Sequence, residues 1–456
     1  MTGEATTDLL VIGAGACGLA AAIAAHDAGI EVAIVEKLDR PGGNSALSTG
    51  SIPGAGSRYQ RDAGIEDSPD RMVADLLAVS GHHDADPLTR LMAEQSAPLV
   101  EWLIDGLGAR MRLITEYKHV GHSVPRLHAP SSRRGQDLVD DLLKFVADRG
   151  IPLAVGNPVD DLIVEDGAVA GAVIGGEPIR TAKVLLATNG FAGNRELVRR
   201  WCPEIARAEY FGALGSTGEA VRWGEKVGAA LGNMAAYQGY AAVAYPQGSL
   251  LSWTTIEKGG ILVGPDGKRF GNEDAGYSGY APVVMGQGEF AWAVYDRRIH
   301  DVAMLEEEYA EMAGMGGVRW GDTPAIAAQA AGIDQAGLTA TVAAYNTAAG
   351  GGAADEFGRT HFNLAPLQAP FGIVKVKPGL FHTQGGLMVD DHARVLRPDG
   401  SVVPNLFAGG GAAAGISGRS GAGGYASGNG LLTALGLGRI AGLRAAAEVR
   451  AAVSPK

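Results

Sequence analysis

The sequence predicts an α/β protein: a βαβ-type domain over residues 1–236, interrupted by an α+β domain over 237–382 and resumed over 383–456. Three observations predict it. The N-terminus reads as strand, glycine turn, helix and second strand. An irregular stretch of tyrosines and short apolar runs follows from about residue 237. A strand-like run then leads into a glycine-rich turn and a long apolar helix at the other end. With 456 residues, 46% hydrophobic and 19% charged, the chain is long enough for separate cores and too apolar to be disordered.

The first element is the run "DLLVIGAGACGLAAAIAAHDAGIEVAIVEK". Asp8 to Ile12 form an apolar strand, Leu19 to Ala28 an alanine-rich helix, and a second strand ends at Glu36 and Lys37. Between strand and helix, Gly13, Gly15 and Gly18 make G-x-G-x-x-G, with Ala16 at the helix entrance. The first glycine permits the tight turn, the second lets a pyrophosphate approach the backbone, and the third lets helix pack on strand. The helix N-terminus offers N–H groups to phosphate, and Glu36 is placed to accept from ribose hydroxyls. The unit reads as a Rossmann-like dinucleotide site.

The next stretch, "KLDRPGGNSALSTGSIPGAG", resembles the Gly-Gly-Asn-Ser loop of the fumarate reductase and ketosteroid dehydrogenase flavoproteins. The resemblance implies FAD, with Gly43, Asn44, Ser45 and the small residues to Gly50 along the isoalloxazine. No histidine stands in this loop for covalent attachment, so the FAD is expected to be noncovalent. "AKVLLATNGFAGN" resembles the turn near the adenosine half, at Ala187, Thr188 and Asn189. "NLFAGGGAAAGISG" resembles the strand passing the ribityl chain, at Gly410; fumarate reductases carry an acidic residue where this chain has Gly411. Gly430, Leu431 and Leu432 then open a helix whose N–H groups should face the pyrimidine edge, where a positive helix end favours an anionic reduced flavin. The order implies an inserted cap domain, with substrate between cap and FAD domain.

The same resemblance supplies candidate chemistry. In "GGILVGPDGKRFGNEDAGYSGY", Asn272-Glu273 is followed by Tyr277, near where fumarate reductases place a proton-transferring arginine and ketosteroid dehydrogenases a tyrosine. Tyr277 is the candidate base and Tyr280 its substitute. In "GGYASGNG", Tyr425 stands where the fumarate reductase pattern has a substrate-binding arginine. The Gly-Tyr-x-Ser-Gly form matches ketosteroid dehydrogenases and makes Tyr425 and Ser427, beside Gly428, candidates to hold an enolate oxygen. His382 in "LFHTQGG" matches the His-Thr-x-Gly-Gly histidine of fumarate reductases. Arg126, His128 and Arg419 are further candidate carboxylate partners.

A proton beside a ketone is far more acidic than one beside a carboxylate, and a phenol of pKa about 10, lowered by its surroundings, can serve as its base. Arginine at neither aligned position argues against fumarate reduction. The expectation is α,β-desaturation of a cyclic ketone or keto acid, such as 4-oxocyclohexanecarboxylate or a ketosteroid. The alternative is a fumarate-reductase-like double-bond reductase or a carboxylate dehydrogenase of the tricarballylate type.

Composition bounds the partners. A net charge of −12 argues against nucleic acid. Two cysteines, Cys17 and Cys202, make neither a metal site nor a disulfide framework. No second dinucleotide fingerprint is present, so an external acceptor, quinone-like or oxygen, is expected to take the electrons. No signal peptide or apolar run of spanning length is evident, and the expected location is cytoplasmic.

Overall fold

The computed structural model describes residues 7–116 and 119–453. The chain forms two compact units. The first comprises the chain through Cys202, Gly212–Tyr237 and the chain from His382 on; the second comprises Pro203–Phe211 and Gln238–Phe381.

The first unit is built on β1 (Thr7–Ile12), α1 (Ala16–Asp27) and β2 (Val32–Val35), with β3 (Leu153–Ala154) beyond. A hairpin, β4 (Val159–Glu165) and β5 (Ala168–Ile174), precedes β6 (Glu177–Leu186), and β7 (Arg394–Leu396) and β8 (Val402–Ala408) return late in the chain. The sheet runs β7-β8-β6-β1-β2-β3, parallel from β8 to β3. Each central strand is a continuous apolar run, as strands covered on both faces require.

Helix α1 is buried from Ala16 to Ala25, so its alanines are small by necessity. Against it packs α2 (Asn429–Val453). Cβ atoms at Gly438 and Gly442 would run into the α1 carbonyl oxygens of Cys17 and Ala21, so glycine sets how closely the helices approach. Cys17 lies in this contact, and burial pushes its thiol up to about 12, which makes it an inert packing residue.

The second unit has its own core around Tyr295, Val294, Ile373 and Val374. Its sheet places Ala291–Asp296 antiparallel between Ile261–Val263 and Phe371–Thr383. Helices Pro324–Ala331 and Gln335–Ala349 are each N-capped, by Thr323 and Asp334. Sheets and helices occur in both units, the α/β class the sequence predicts. No described helix is long and apolar enough to cross a membrane.

Candidate active site

The nucleotide end of the first unit is shaped by its glycines. Gly13 has φ +110°, a backbone only glycine adopts readily, and its N–H donates to Val35 O at 2.8 Å. A Cβ at Gly18 would strike Gly13 O, whereas one at Gly15 would meet nothing nearer than Gly42 O at 3.7 Å. The turn is thus tight at its ends and open in its middle. No acidic side chain lies in the first turn of α1, and its N-cap residue Gly15 has no side chain to cap with; Ala16 N–H instead donates to Ser45 Oγ at 3.2 Å. Glu36 closes the cradle, accepting from Ala14 N–H at 2.8 Å and Leu38 N–H at 3.0 Å.

Gly43, Asn44 and Ser45 lie in the short helix Gly43–Leu47, and Asn44 Oδ1 accepts from Ala213 N–H at 2.6 Å. Gly50 turns the chain at φ +68°. Ala187 N–H continues the β1 ladder to Ile12 O at 2.8 Å, and Asn189 Nδ2 donates to Ser216 Oγ at 2.7 Å. Asn189 also explains Gly411: a Cβ there would run into Asn189 Oδ1, so the amide occupies the space an acidic side chain would need. Thr188 Oγ1, Gln384 Nε2 and Asn429 Oδ1 are buried with no hydrogen-bond partner. Such orphans are costly unless a ligand pairs with them. Together with the open turn at Gly15 they fit a long polar dinucleotide. The sequence reading names neither Gln384 nor Asn429 as a site residue; Gln384 sits at the unspecified position of the His-Thr-x-Gly-Gly motif.

Around the start of α2 the candidate chemistry converges. The His382 and Tyr425 rings meet edge-on with centroids 6.5 Å apart. A Cβ at Gly430 would lie 3.8 Å from His382 Nε2, so the imidazole faces the helix entrance with Gly430, Leu431 and Leu432. Burial lowers the His382 pKa, which keeps the ring neutral at physiological pH. The Ser427 N–H donates to Val120 O at 3.0 Å, and Gly428 turns at φ +82°.

In the second unit, the Arg-Phe-x-Asn-Glu motif is a platform. Glu273 is buried and accepts from Leu262 N–H at 3.1 Å and from Arg269 Nη2 at 2.6 Å, with Arg359 Nη1 at 3.4 Å. Asn272 Oδ1 caps the following turn through Asp274 N–H at 2.9 Å. Tyr277 follows on Gly276–Gly279, half-buried, with its ring 5.0 Å from Tyr240 and 6.4 Å from Trp253.

Several sequence expectations are corrected. Arg126 is no carboxylate anchor for a substrate: it is fully buried, with Nε and Nη2 on Asp67 at 2.8 and 2.9 Å and Nη1 on Asp75 at 2.8 Å. His128 is buried and bonded to Ser57 Oγ at 3.2 Å, and burial lowers it to about 4, leaving no positive charge for a carboxylate. Arg419 is exposed and paired with Asp84 at 3.0 Å. Tyr280 is a core residue stacked on Phe270 at 5.7 Å, and burial pushes its phenol far above the usual range, which unsuits it as a base. The Lys37 ammonium is held by Glu219 at 2.5 Å and Thr217 at 2.8 Å.

The buried histidines give a testable acid sensitivity. His119, His122 and His128 titrate at about 4, each mainly through burial, against an ordinary 6.5. Between those values the unfolded chain binds protons that the folded chain refuses, so stability falls as pH drops through that window. Thermal melts should show the midpoint decreasing from pH 6.5 towards pH 4. A flat profile there would contradict these assignments.

The family model for the FAD binding domain matches residues 8–431. The chain belongs to this FAD-binding family. A probable fumarate reductase of Shewanella frigidimarina is 31% identical over 422 residues, covering 91% of this chain and 71% of the relative. The 4-oxocyclohex-2-ene-1-carboxylate 5-dehydrogenase of Sinomonas cyclohexanicum is 28% identical, covering 90% of this chain and 89% of the relative. The solved 3-ketosteroid-Δ4-(5α)-dehydrogenase of Rhodococcus jostii superposes with TM-score 0.77 at 25% identity, covering 98% of each chain. The protein is an FAD-dependent oxidoreductase acting on carbon–carbon bonds, related to both fumarate reductases and ketosteroid dehydrogenases.

Proposed function

We propose that this enzyme desaturates a cyclic ketone or keto acid at the α,β bond, with a 4-oxocyclohexanecarboxylate-like ring as the preferred class and a ketosteroid as a larger variant. One observation carries the reading. The group beside the α2 entrance is a phenol facing a neutral imidazole, while Arg126 and Arg419 are paired elsewhere with aspartates. A phenol suits a ketone oxygen; a dicarboxylate calls for cations.

Bound FAD supplies a two-electron oxidant for the β-hydride. Glu36, the Gly13–Gly18 turn, Thr188 and the Gly43–Ser45 loop are the residues proposed to hold it. Tyr425 donates to the ketone oxygen and stabilises the enolate, aided by Ser427 and the positive end of α2. Tyr277, set by the Glu273 platform, removes the α-proton. His382 Nδ1–H is engaged by the Thr383 carbonyl oxygen at 3.3 Å, so the neutral ring presents Nε2 as an acceptor and orients a substrate hydroxyl or the Tyr425 phenol rather than donating to a carboxylate. The inserted second unit serves as the cap, and a quinone-like acceptor or oxygen takes the electrons. A double-bond reductase is the second reading, favoured by the retained His382 and the 31% identical fumarate reductase relative.

Anaerobic titration of the yellow enzyme separates the two. 4-Oxocyclohexanecarboxylate should bleach the oxidised flavin, and fumarate should fail to reoxidise the reduced form. Reoxidation by fumarate without bleaching by any saturated ketone would reverse the assignment.

A further inference from the structure

A buried relay ends on the turn that carries Tyr425. Asp67 accepts two hydrogen bonds from Arg126, at 2.8 and 2.9 Å, and both side chains are fully buried. Asp75 pairs with Arg126 Nη1 at 2.8 Å and is itself held by Ser123 N–H at 2.8 Å. The same Nη1 lies 3.1 Å from His122 Nδ1, and His122 Nε2 lies 2.8 Å from the Ser427 carbonyl oxygen. A guanidinium can only donate, so Nδ1 must accept and the imidazole proton must sit on Nε2, aimed at Ser427 O. The segment carrying His122 also clasps the turn: Ser427 N–H donates to Val120 O, and a Cβ at Gly121 would collide with Ala426. Ala426 is the residue between Tyr425 and Ser427, so both polar ends of the Ser427 backbone are tied to one segment.

We propose that His122, its tautomer set by Arg126 and its charge partners Asp67 and Asp75, is a positioning residue that fixes the Tyr425 turn and thereby aims the phenol. Chain-fold stability alone does not call for this arrangement. A buried arginine between two aspartates satisfies itself, yet one of its donors is spent on an imidazole whose other nitrogen reaches the backbone two residues beyond Tyr425. The kinetic part of this inference rests on the proposed role of Tyr425; the geometric part does not.

Two isosteres separate positioning from packing. In His122→Gln the amide reaches as far as Nε2 and can still donate to Ser427 O; in His122→Asn it stops near Nδ1 and cannot. Both are small polar changes, and FAD content and melting temperature are measured alongside. The direct readout is the 19F signal of 3-fluorotyrosine placed at position 425. It should stay in place in His122→Gln and shift or broaden in His122→Asn. Equal spectra in both would overturn the proposal. The kinetic readout is ketone-dependent flavin bleaching, which should fall about tenfold in His122→Asn, the rate equivalent of one lost hydrogen bond, and stay near wild type in His122→Gln. In a Tyr425→Phe background the His122→Asn loss should vanish, because a residue acting only through the phenol has nothing left to position. An undiminished loss in that background would assign His122 to general packing and overturn the proposal. A shifted 19F signal in an enzyme that no ketone bleaches would uphold the positioning and refute only the desaturase reading.

Discussion

Replacing Tyr425 by phenylalanine should leave the protein yellow and folded but lower ketone desaturation about a hundredfold or more. That is the scale at which removal of one preorganised donor to a developing oxyanion is felt. The ring keeps its edge-on contact with His382, since only the hydroxyl is removed. The residues proposed to hold FAD are untouched, because Gly13, Glu36 and Thr188 lie on other segments. The measurement is turnover with 4-oxocyclohexanecarboxylate beside flavin absorbance per protein. Turnover within about twofold of wild type would remove the phenol from the chemistry altogether, since a lost charge-stabilising donor cannot be that cheap.

A second large effect is expected at Glu273. This carboxylate is 2% exposed and lies between Arg269 and Arg359, both nearly buried. Glu273→Gln keeps the shape and removes the charge, leaving cations in the second unit's interior without their main counter-ion. Breaking a buried pair from one side costs about 3–5 kcal/mol, far more than a surface pair contributes. Denaturant unfolding should show that loss. Tyr277, four residues on, should lose its fixed placement, with turnover falling even where the variant stays folded. A change below about 1 kcal/mol would mean that Asp355 and Asp274 suffice to neutralise both arginines.

What the sequence made legible divides by range. The cradle from Asp8 to Lys37 is readable because its turn, helix and strands are local, and Gly13 and Gly18 answer to close contacts within the unit. The Gly42–Ser45 loop and the Tyr425 turn were found through motifs shared with a family, which encode distant neighbours that periodicity does not. The residues misjudged are those whose partners lie far along the chain. Arg126 meets Asp67 and Asp75, 59 and 51 positions away (126 − 67 and 126 − 75), and nothing in "GHSVPRLHAP" announces them. Arg419 meets Asp84 by the same kind of long-range pairing. Tyr280 differs from Tyr277 by less than a helical turn, and only packing against Phe270 sends one ring into the core. Side-chain charge or aromaticity marks a residue as capable of chemistry; the fold decides whether that capability is spent internally.

The glycine contacts between α1 and α2 bear on how this enzyme can be altered. Gly438 lies eight residues along the same rod from Gly430, about 12 Å at 1.5 Å per residue. The rod's far body is bolted to the helix that begins at the Gly13–Gly18 turn, and its near tip faces His382 and Tyr425. A methyl group added at the bolt would therefore act as a lever, tilting the tip while leaving every reactive side chain chemically intact. Drift in such quiet glycines is a route by which descendants of this scaffold change substrate without changing a single polar group.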